Sequence, residues 1–510
     1  MEITPLENRR LGRSCLLIAN FFDAIFSHLN STIWLLSSRK SPLLKSQSAK
    51  RRASARYNQI CSLLPPNKPA PGVTAKALQC NIQTMNTGKP TTERWLNLAG
   101  FGFACFSILF GSTILLMVAN PIRSPGSFSF PTHGGTAVSD FVLYYQSAYM
   151  ATSSHYRLHV YDPVLQLEVI NQLINPDHIN TVFFNQYVPF FFPLVAPLAF
   201  APMHTAYSVW YGLSLLAGVG GLILVSNDRA AFGKQDLITI IFAILACAPS
   251  AVTLVIGQTS WFLLCGFCLF YLALKNRRHR LAGVSLSLLT IKPQYAPLLF
   301  ISAITAKRWQ LLLACCVSEL LLLGLAVLTV GWKNVIEYPS ILLHAETTAK
   351  YAGVNPAGMV SLRGLLSHLL PQTAVVGIVA VMLLLAALLI FKIWRLTESK
   401  QLSYEWAMSI TVLACLIVSP HSHVHDLLLL ALPAILTLPG LSPLNWSTVK
   451  DLRLKAWSAI LLIYPLASWF IYCAGMFWIF TLINGALLCL ALLHVFNRDA
   501  KDAQTKTQPA

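Results

Sequence analysis

The chain has 510 residues, of which 55% are hydrophobic and only 11% are charged. Soluble domains carry about 25% charged residues, so this composition excludes an ordinary soluble protein and predicts a polytopic membrane protein. The formal net charge of +18 does not indicate nucleic-acid binding. One segment has a strong excess of basic residues, and anionic lipid headgroups explain this excess more simply.

Residues 1–94 form a basic region that differs from the rest of the chain. Between positions 39 and 94, eleven Lys and Arg residues accompany a single acid, Glu93. This part is rich in Ser, Lys, Arg and Pro, so we expect a disordered extension. The apolar stretch 15–36 is interrupted by Asp23 and His28, which favours an interfacial helix. No cleavable signal peptide is evident, and Met85 leaves open whether the upstream part belongs to the mature protein.

Apolar runs long enough to cross a membrane recur along the remaining chain. A helix needs about 20 apolar residues for this. The multi-span domain is predicted over residues 95–497, followed by a cytoplasmic tail at 498–510. The predicted spans are 95–119, 204–226, 237–256, 259–274, 311–330, 371–395, 405–419, 426–440, 456–473 and 474–495, with two proline-interrupted segments at 189–203 and 281–305. The sequence therefore predicts an all-α bundle of about ten to twelve transmembrane segments.

A lysine-proline pair interrupts the segment 281–305. Pro293 removes a backbone hydrogen bond, and Lys292 would be costly in lipid. Basic clusters also flank both ends of this segment. We expect a broken or re-entrant helix pair that lines a polar cavity, with a simple kinked span as the alternative. Four prolines leave the same choice open for the segment 189–203.

Two long loops separate the spans, at 120–188 and 332–370. The first loop holds two basic residues, Arg123 and Arg157, against four acids, whereas the segment before the first span is strongly basic. Because cytoplasmic loops are enriched in Lys and Arg, the first loop should face outward. Both loops are long enough to be functional. Both also contain partly apolar helical patterns, so we expect surface helices in them.

The first outer loop contains the sequence SDFVLYYQSAYM at residues 139–150. Its aromatic residues follow helical spacing, which predicts a helix that begins at Ser139-Asp140. One interpretation is that Asp140 only caps this helix. The other is that a carboxylate at the lipid–water boundary serves as a general base, with its pKa raised by partial desolvation. The two roles do not exclude each other.

Further motifs lie at loop–helix boundaries and within the spans. They are YDP at 161–163, NQYVPFFFP at 185–193, IGQTS at 256–260, TIKPQ at 290–294, VNPAGMVSLRGLL at 354–366 and SPHSHVHD at 419–426. Lys292 is the most informative, because an ionisable residue at membrane depth is functional by default. The three histidines of the last motif fit a metal site or a polar turn, and we favour the turn. The twelve cysteines lie mostly inside apolar runs, show no CxxC pairing suited to a metal or redox site, and are interpreted as small core residues.

Together and in this order, the motifs resemble the successive signature blocks of glycosyltransferase family 87. The blocks are SDFVLYYQSAYM, YDP, YVPFFFPLVAPLAFAP, GQTSWFLL, LAGVSLSLLTIKPQYAPLLF, NPAGMVSLRGLL and SPHSHVHDLLLL, and they cover residues 95–440. This family includes polyprenyl-phosphate-dependent mannosyl- and arabinosyltransferases of bacterial envelopes. In the last block, the aromatic residue that often follows SP in the family is missing, and His425-Asp426 is the nearest match to the family's His pair.

The resemblance implies a GT-C-type multi-span fold with its active site at the outer membrane face. The implied reaction moves a hexose from a polyprenyl-phosphate carrier to a lipid- or glycan-linked acceptor, in the inner membrane of a bacterium. Asp140 matches the presumed catalytic base. The substrate-binding candidates are Tyr144, Tyr145, Tyr161, Tyr187, Gln258, Lys292, Gln294, Asn355, Arg363 and His425. Membrane lipids are expected partners, and no metal ion or other cofactor is expected, since a monophosphate donor needs no diphosphate-bridging cation.

Two other kinds of function stay open. A transporter or lipid-linked-sugar flippase would show internal repeats and charges near the membrane midplane. We find no convincing repeat, and the polar residues are concentrated at one face. A scaffold that keeps the fold without activity is the third possibility, and the altered last motif is its only support.

Overall fold

The computed structural model describes residues 107–113, 129–132, 135–180, 182–229, 234–305, 307–347, 356–438 and 451–507. The predicted extension 1–94 and most of the predicted span 95–119 lie outside the described residues. Helices α1 to α9 are Asp140–Thr152, Pro163–Leu173, Phe191–Val195, Met203–Arg229, Lys234–Leu245, Ala248–Ile256, Ser260–Lys275, His279–Leu289 and Ala296–Thr305. Helices α10 to α17 are Trp309–Val330, Trp332–Thr347, Leu362–Ser367, Gln372–Glu398, Tyr404–Val418, Ala431–Thr437, Leu452–Cys473 and Trp478–Thr507.

Five helices of the described chain are long and apolar enough to cross a membrane. They cover Met203–Asp228, Trp309–Val330, Gln372–Glu398, Leu452–Cys473 and Trp478–Asn497. Shorter apolar helices cover four further segments: Phe191–Phe200, Ser260–Lys275, Tyr404–Val418 and Val424–Thr437. The prediction of an all-α polytopic membrane protein is confirmed. The count of full-length spans among the described residues is lower than predicted, because several predicted spans are helices too short to cross alone.

The predicted span 237–256 is not one straight helix. It consists of Leu237–Leu245 and Ala248–Ile256, which meet at an angle of 63°. Pro249 stands in the first turn of α6. A proline lacks the backbone N–H and its ring clashes with the carbonyl four residues earlier, which kinks or breaks a helix, and here the chain bends. If the bent pair is one span, it is the sixth of the described chain.

The predicted break at Lys292-Pro293 is present. Helix α8 ends at Leu289, a 3-10 turn covers Pro293–Tyr295, and α9 begins at Ala296. Lys292 itself has extended geometry, with φ −113° and ψ 87°. The break therefore places polar backbone and the lysine side chain between two short helices.

Short helices form the centre of the bundle, and long helices surround it. Most residues of α7 and α14 are buried. By contrast, only 17% of the apolar window of α10 and 22% of that of α13 is buried within the protein. Helix α7 packs against α4 and α8, while α14 packs against α13 and α17. Long apolar helices with this little internal contact bury their surface in lipid.

The two predicted outer loops contain the remaining helices. The first loop holds an antiparallel hairpin of β1, Ser129–Thr132, and β2, Gly135–Val138, followed by α1 and α2. The second loop holds α11 and α12. Helix α1 packs against α2, α3 and the 3-10 helix Ala196–Phe200. A buried apolar cluster around Phe141, Tyr144 and Phe191 fixes α1 in this position.

Candidate active site

Asp140 is the first residue of α1, and its side chain does not cap the helix. Ser139 is the N-cap residue, and its hydroxyl makes no capping hydrogen bond within the described chain. The Asp140 carboxylate instead accepts a hydrogen bond of 2.6 Å from the side-chain amide of Gln258, 118 positions further along the chain. The interpretation of Asp140 as a simple cap is therefore wrong. A carboxylate at this helix terminus is still favoured by the helix dipole.

Gly257 brings Gln258 to Asp140. It ends α6 in the left-handed region, with φ +73°. A Cβ atom at this position would lie 2.7 Å from the Cβ of Phe141. Only glycine allows both this backbone geometry and the close approach of α1. The turn between α6 and α7 therefore packs directly on the residue that follows Asp140.

Two tyrosines contact the other end of the Gln258 amide. The hydroxyl of Tyr144, one helical turn after Asp140, donates to Gln258 Oε1 at 2.9 Å. The hydroxyls of Tyr144 and Tyr187 are 2.7 Å apart. The Tyr187 segment is tied to α1 because the Asn185 side chain donates to the carbonyl of Leu143 at 3.0 Å. The site therefore joins α1, the 185–187 segment and the turn after α6.

Lys292 forms a buried ion pair with Asp426. Its ammonium lies 2.5 Å from Asp426 Oδ1, and the two side chains are 8% and 1% exposed. Ser260 donates to the same oxygen at 3.3 Å. Asp426 Oδ2 accepts from the backbone of His423 at 3.1 Å and lies 3.5 Å from His425 Nε2. Burial of each charge is therefore compensated by an opposite charge and hydrogen bonds.

His421 and His423 precede the 3-10 helix Val424–Leu430, and His425 is its second residue. The rings of His421 and His423 lie 4.8 Å apart, and those of His423 and His425 lie 5.8 Å apart. Their backbone is held from outside, since Gln294 donates to the carbonyl of His421 at 3.0 Å and Arg363 donates to that of Pro420 at 2.9 Å. The segment thus presents a fixed row of imidazoles.

A cavity of about 660 Å³ connects these groups. Its polar lining includes Asp140, Tyr187, Gln258, Lys292, Gln294 and the histidines at 421, 423 and 425. Its apolar lining includes Leu143, Phe183, Phe184, Val252, Ile256, Ile291, Tyr338, Leu342, Tyr472 and Phe477. Pockets of this volume, mostly apolar with a few convergent polar groups, are typical small-ligand sites.

Burial changes the titration of two groups at this cavity. It raises the pKa of Asp140 above its ordinary value of 3.8, and this effect outweighs the Gln258 hydrogen bond and the charges of Lys292 and His421, which lower it. Burial also lowers the pKa of His423 to about 3. Asp140 therefore binds a proton more readily than an exposed aspartate, and His423 is a neutral imidazole at physiological pH.

The structure brings together six of the eleven predicted site residues. Asp140, Tyr187, Gln258, Lys292, Gln294 and His425 line the cavity. Tyr144 supports Gln258 from behind, whereas the Tyr145 hydroxyl donates to the carbonyl of Ala201 at 2.8 Å and the Tyr161 hydroxyl to that of Tyr187 at 2.5 Å. Arg363 holds the backbone of Pro420, and Asn355 lies outside the described residues.

Sequence reasoning gave no role to several lining residues. Phe183 and Phe184 precede the motif NQYVPFFFP, and Tyr338 and Leu342 stand four apart on α11. The spacing on α11 was the available signal, because residues four apart share a face of a helix. Among the described residues, no group of three or more His, Cys, Asp and Glu side chains is arranged to hold a metal ion.

Comparison with known proteins gives the class of the protein. The polytopic helical fold and the family match together indicate a membrane glycosyltransferase. Residues 184–420 match the family model described as Glycosyltransferase family 87, which confirms the resemblance found in the sequence blocks. The matched region includes Gln258 and Lys292, whereas Asp140 precedes it. No curated protein sequence matches the chain significantly.

Proposed function

We propose that this protein transfers a hexose, such as mannose, from a polyprenyl-phosphate carrier to a glycan or glycolipid acceptor. The proposed site of the reaction is the outer face of a bacterial inner membrane, and the acceptor belongs to the cell envelope. The observation that carries this proposal is the position of Asp140, a half-buried carboxylate at a cavity that also presents Lys292 and a row of histidines.

The proposed reaction is a single displacement. The acceptor hydroxyl oxygen attacks the anomeric carbon of the donor sugar, the bond from that carbon to the phosphate oxygen breaks, and the electron pair leaves with the polyprenyl phosphate. Asp140 takes the hydroxyl proton. Because the phosphate leaves as an anion, it needs no acid, so one free carboxylate is sufficient, unlike the two that glycoside hydrolases use.

The pairing of the second carboxylate supports this division of roles. Asp426 is neutralised by Lys292 and is almost completely buried, and it is not among the cavity-lining residues of the described chain. Asp140 accepts its hydrogen bond from a neutral amide. It is therefore the carboxylate that can exchange a proton with a molecule in the cavity.

The leaving phosphate needs hydrogen-bond donors and positive charge. Lys292, Gln294 and His425 line the cavity and supply such groups. The apolar lining at Tyr338, Leu342 and Phe477 suits a donor whose prenyl chain stays in the bilayer. A water-insoluble donor must enter a membrane enzyme from the lipid, and a cavity with both linings meets this need.

The proposal is tested by transfer of radiolabelled sugar from polyprenyl-phosphate donors to a membrane acceptor extract. A panel of donors with different hexoses is offered to wild type and to Asp140→Asn at matched expression. We expect transfer from at least one donor by wild type and its loss in Asp140→Asn. Removal of a general base typically lowers the rate by about 100-fold to 10,000-fold.

Asp162→Asn is the matched control. Asp162 lies in the same loop and caps α2 through its side chain, which accepts from the amides of Val164 and Leu165. Asparagine caps helices as well as aspartate does, so this variant should keep full transfer. Equal transfer by wild type and Asp140→Asn would contradict the role of Asp140. Uptake or flipping of the lipid-linked sugar without transfer would favour a transporter.

A further inference from the structure

We propose that Gln258 is the positioning residue of Asp140 and that the hydroxyls of Tyr144 and Tyr187, together with the backbone N–H of Thr259, fix the direction in which its amide points. This inference rests on the proposed function, because it concerns the same carboxylate. The inference goes beyond the proposed function, because it explains how a chain of uncharged hydrogen-bonding groups favours the ionised form of Asp140, which can accept a proton.

The direction of the chain follows from counting donors. A phenol hydroxyl has one hydrogen atom, and the hydrogen of Tyr144 is given to Gln258 Oε1 at 2.9 Å. The Tyr187 hydroxyl can donate to the Tyr144 oxygen at 2.7 Å or to Oε1 itself at 3.4 Å, and the backbone N–H of Thr259 also donates to Oε1, at 3.3 Å. With Oε1 engaged, the amide nitrogen faces Asp140 Oδ2 at 2.6 Å. Every donor in the chain thus points toward the carboxylate.

The tyrosines are held rigidly in this arrangement. The Tyr187 ring stacks on Phe191 with centroids 4.5 Å apart. The Tyr144 ring packs edge-on against Phe191 and tilted against Trp210, each at 5.2 Å. Neither hydroxyl can move away without breaking aromatic contacts, which contribute beyond simple area burial. The chain is therefore preorganised before substrate binds.

The opposite amide orientation is linked to a protonated Asp140. If the amide were rotated by half a turn, its oxygen would face Oδ2, which is acceptable only when the carboxyl carries a proton to donate. Its nitrogen would then face the backbone N–H of Thr259, a donor that cannot turn round, as well as the Tyr144 hydroxyl. These donors together disfavour the rotated amide and, through it, the protonated acid. They favour the ionised form of Asp140 that a general base requires, against the opposing effect of burial.

The hydrogen-bond chain also determines which carboxylate oxygen of Asp140 reacts. Oδ2 is occupied by Gln258, and the residues that the structure describes make no hydrogen bond to Oδ1. Oδ1 is then the oxygen that accepts the proton of the acceptor hydroxyl. The charged and titratable groups that act on Asp140 from outside the hydrogen-bond chain are Lys292, His421 and Asp426. The titratable groups within the hydrogen-bond chain are Tyr144 and Tyr187. Burial raises the pKa of both tyrosines well above the ordinary value, so their hydroxyls stay protonated.

The first test is the pH profile of transfer by Tyr144→Phe and Gln258→Leu, with Tyr207→Phe as control. Tyr207 is also buried beside Phe141, but its hydroxyl donates to the carbonyl of Leu254 at 2.6 Å instead of joining the chain. We expect the acid limb of kcat/KM to move to higher pH in Tyr144→Phe, with recovery toward wild type at high pH. At neutral pH the loss should be about threefold to tenfold for Tyr144→Phe and about tenfold to 100-fold for Gln258→Leu.

The second test does not depend on turnover. Infrared difference spectra of the purified protein, recorded along a pH titration, show the carbonyl stretch of protonated Asp140, which is assigned by its absence in Asp140→Asn. The titration midpoint should rise in Tyr144→Phe and Gln258→Leu and stay unchanged in Tyr207→Phe. Equal midpoints in all three folded variants would overturn the positioning role. If no variant and no wild type transfers sugar, the proposed function fails, while the infrared midpoints still decide the role of Gln258.

Discussion

The ammonium of Lys292 lies 2.5 Å from Oδ1 of Asp426, 134 positions away in the chain. This pair joins the break between α8 and α9 to the histidine segment, two parts that both line the cavity. It therefore has a structural role in the bundle as well as the phosphate-binding role proposed for Lys292.

Breaking this pair from one side should destabilise the protein. Asp426→Asn leaves a buried ammonium without its countercharge, which costs about 3–5 kcal/mol. The double variant Lys292→Met/Asp426→Asn removes both charges and should regain part of that loss, since contacting residues are not additive. Unfolding midpoints of the detergent-purified single and double variants measure this coupling. Strict additivity of the two single effects would contradict the buried pair.

Asp140 should reduce stability at neutral pH. A raised pKa means that the folded state binds the proton more tightly than the unfolded chain, so the stabilising contribution is full below the ordinary pKa of 3.8 and is lost as pH rises through the folded pKa. Asp140→Asn, which stays neutral, should therefore unfold at a higher temperature than wild type at pH 7, and the difference should shrink on acidification. A lower midpoint for Asp140→Asn at pH 7 would show that the carboxylate is stabilised by its surroundings.

The same shift predicts the acid limb of the reaction. A general base must be ionised, so kcat/KM should fall as pH drops through the raised pKa of Asp140, at a pH above the range of exposed aspartates. The pH profile of transfer by wild type measures this limb. A limb at the ordinary value would contradict the raised pKa, since kcat/KM reports the groups of the free enzyme.

Gly257 is predicted to be essential to the geometry of the site. Gly257→Ala adds backbone strain of about 1–3 kcal/mol at φ +73° and places a Cβ 2.7 Å from that of Phe141. The strain is matched by Gly475→Ala, where φ is +66° but no atom lies within 4 Å of the added Cβ. Unfolding midpoints should show a larger loss for Gly257→Ala than for Gly475→Ala. Equal losses would mean that α1 shifts to accommodate the added Cβ atom with no further loss of stability.

Local features of the site could be predicted from sequence. The break at Pro293 and the start of α1 at Asp140 follow from residues within a few positions. The bend at Pro249 could have been predicted in the same way, but the continuous apolar run over 237–256 favoured the prediction of a single span. Hydropathy alone does not register the loss of one backbone donor.

The contacts of the site could not be predicted, because they depend on tertiary packing. Asp140 meets Gln258 across 118 positions, and nothing near either residue indicates the other. Adjacent Tyr144 and Tyr145 point to different partners, since successive residues of a helix are rotated by about 100°. Arg363 was a plausible phosphate ligand by charge, and the structure places it on the carbonyl of Pro420.

Single displacement at the anomeric carbon, with Asp140 as the one base, is tested most directly by the anomeric configuration of the product. The configuration is determined by nuclear magnetic resonance on sugar transferred from a donor of known configuration. Inversion is predicted, because the acceptor attacks opposite the leaving phosphate and Asp426 is held by Lys292. Retention would contradict it, since it requires a second displacement and a nucleophile in the cavity that forms a covalent intermediate with the sugar.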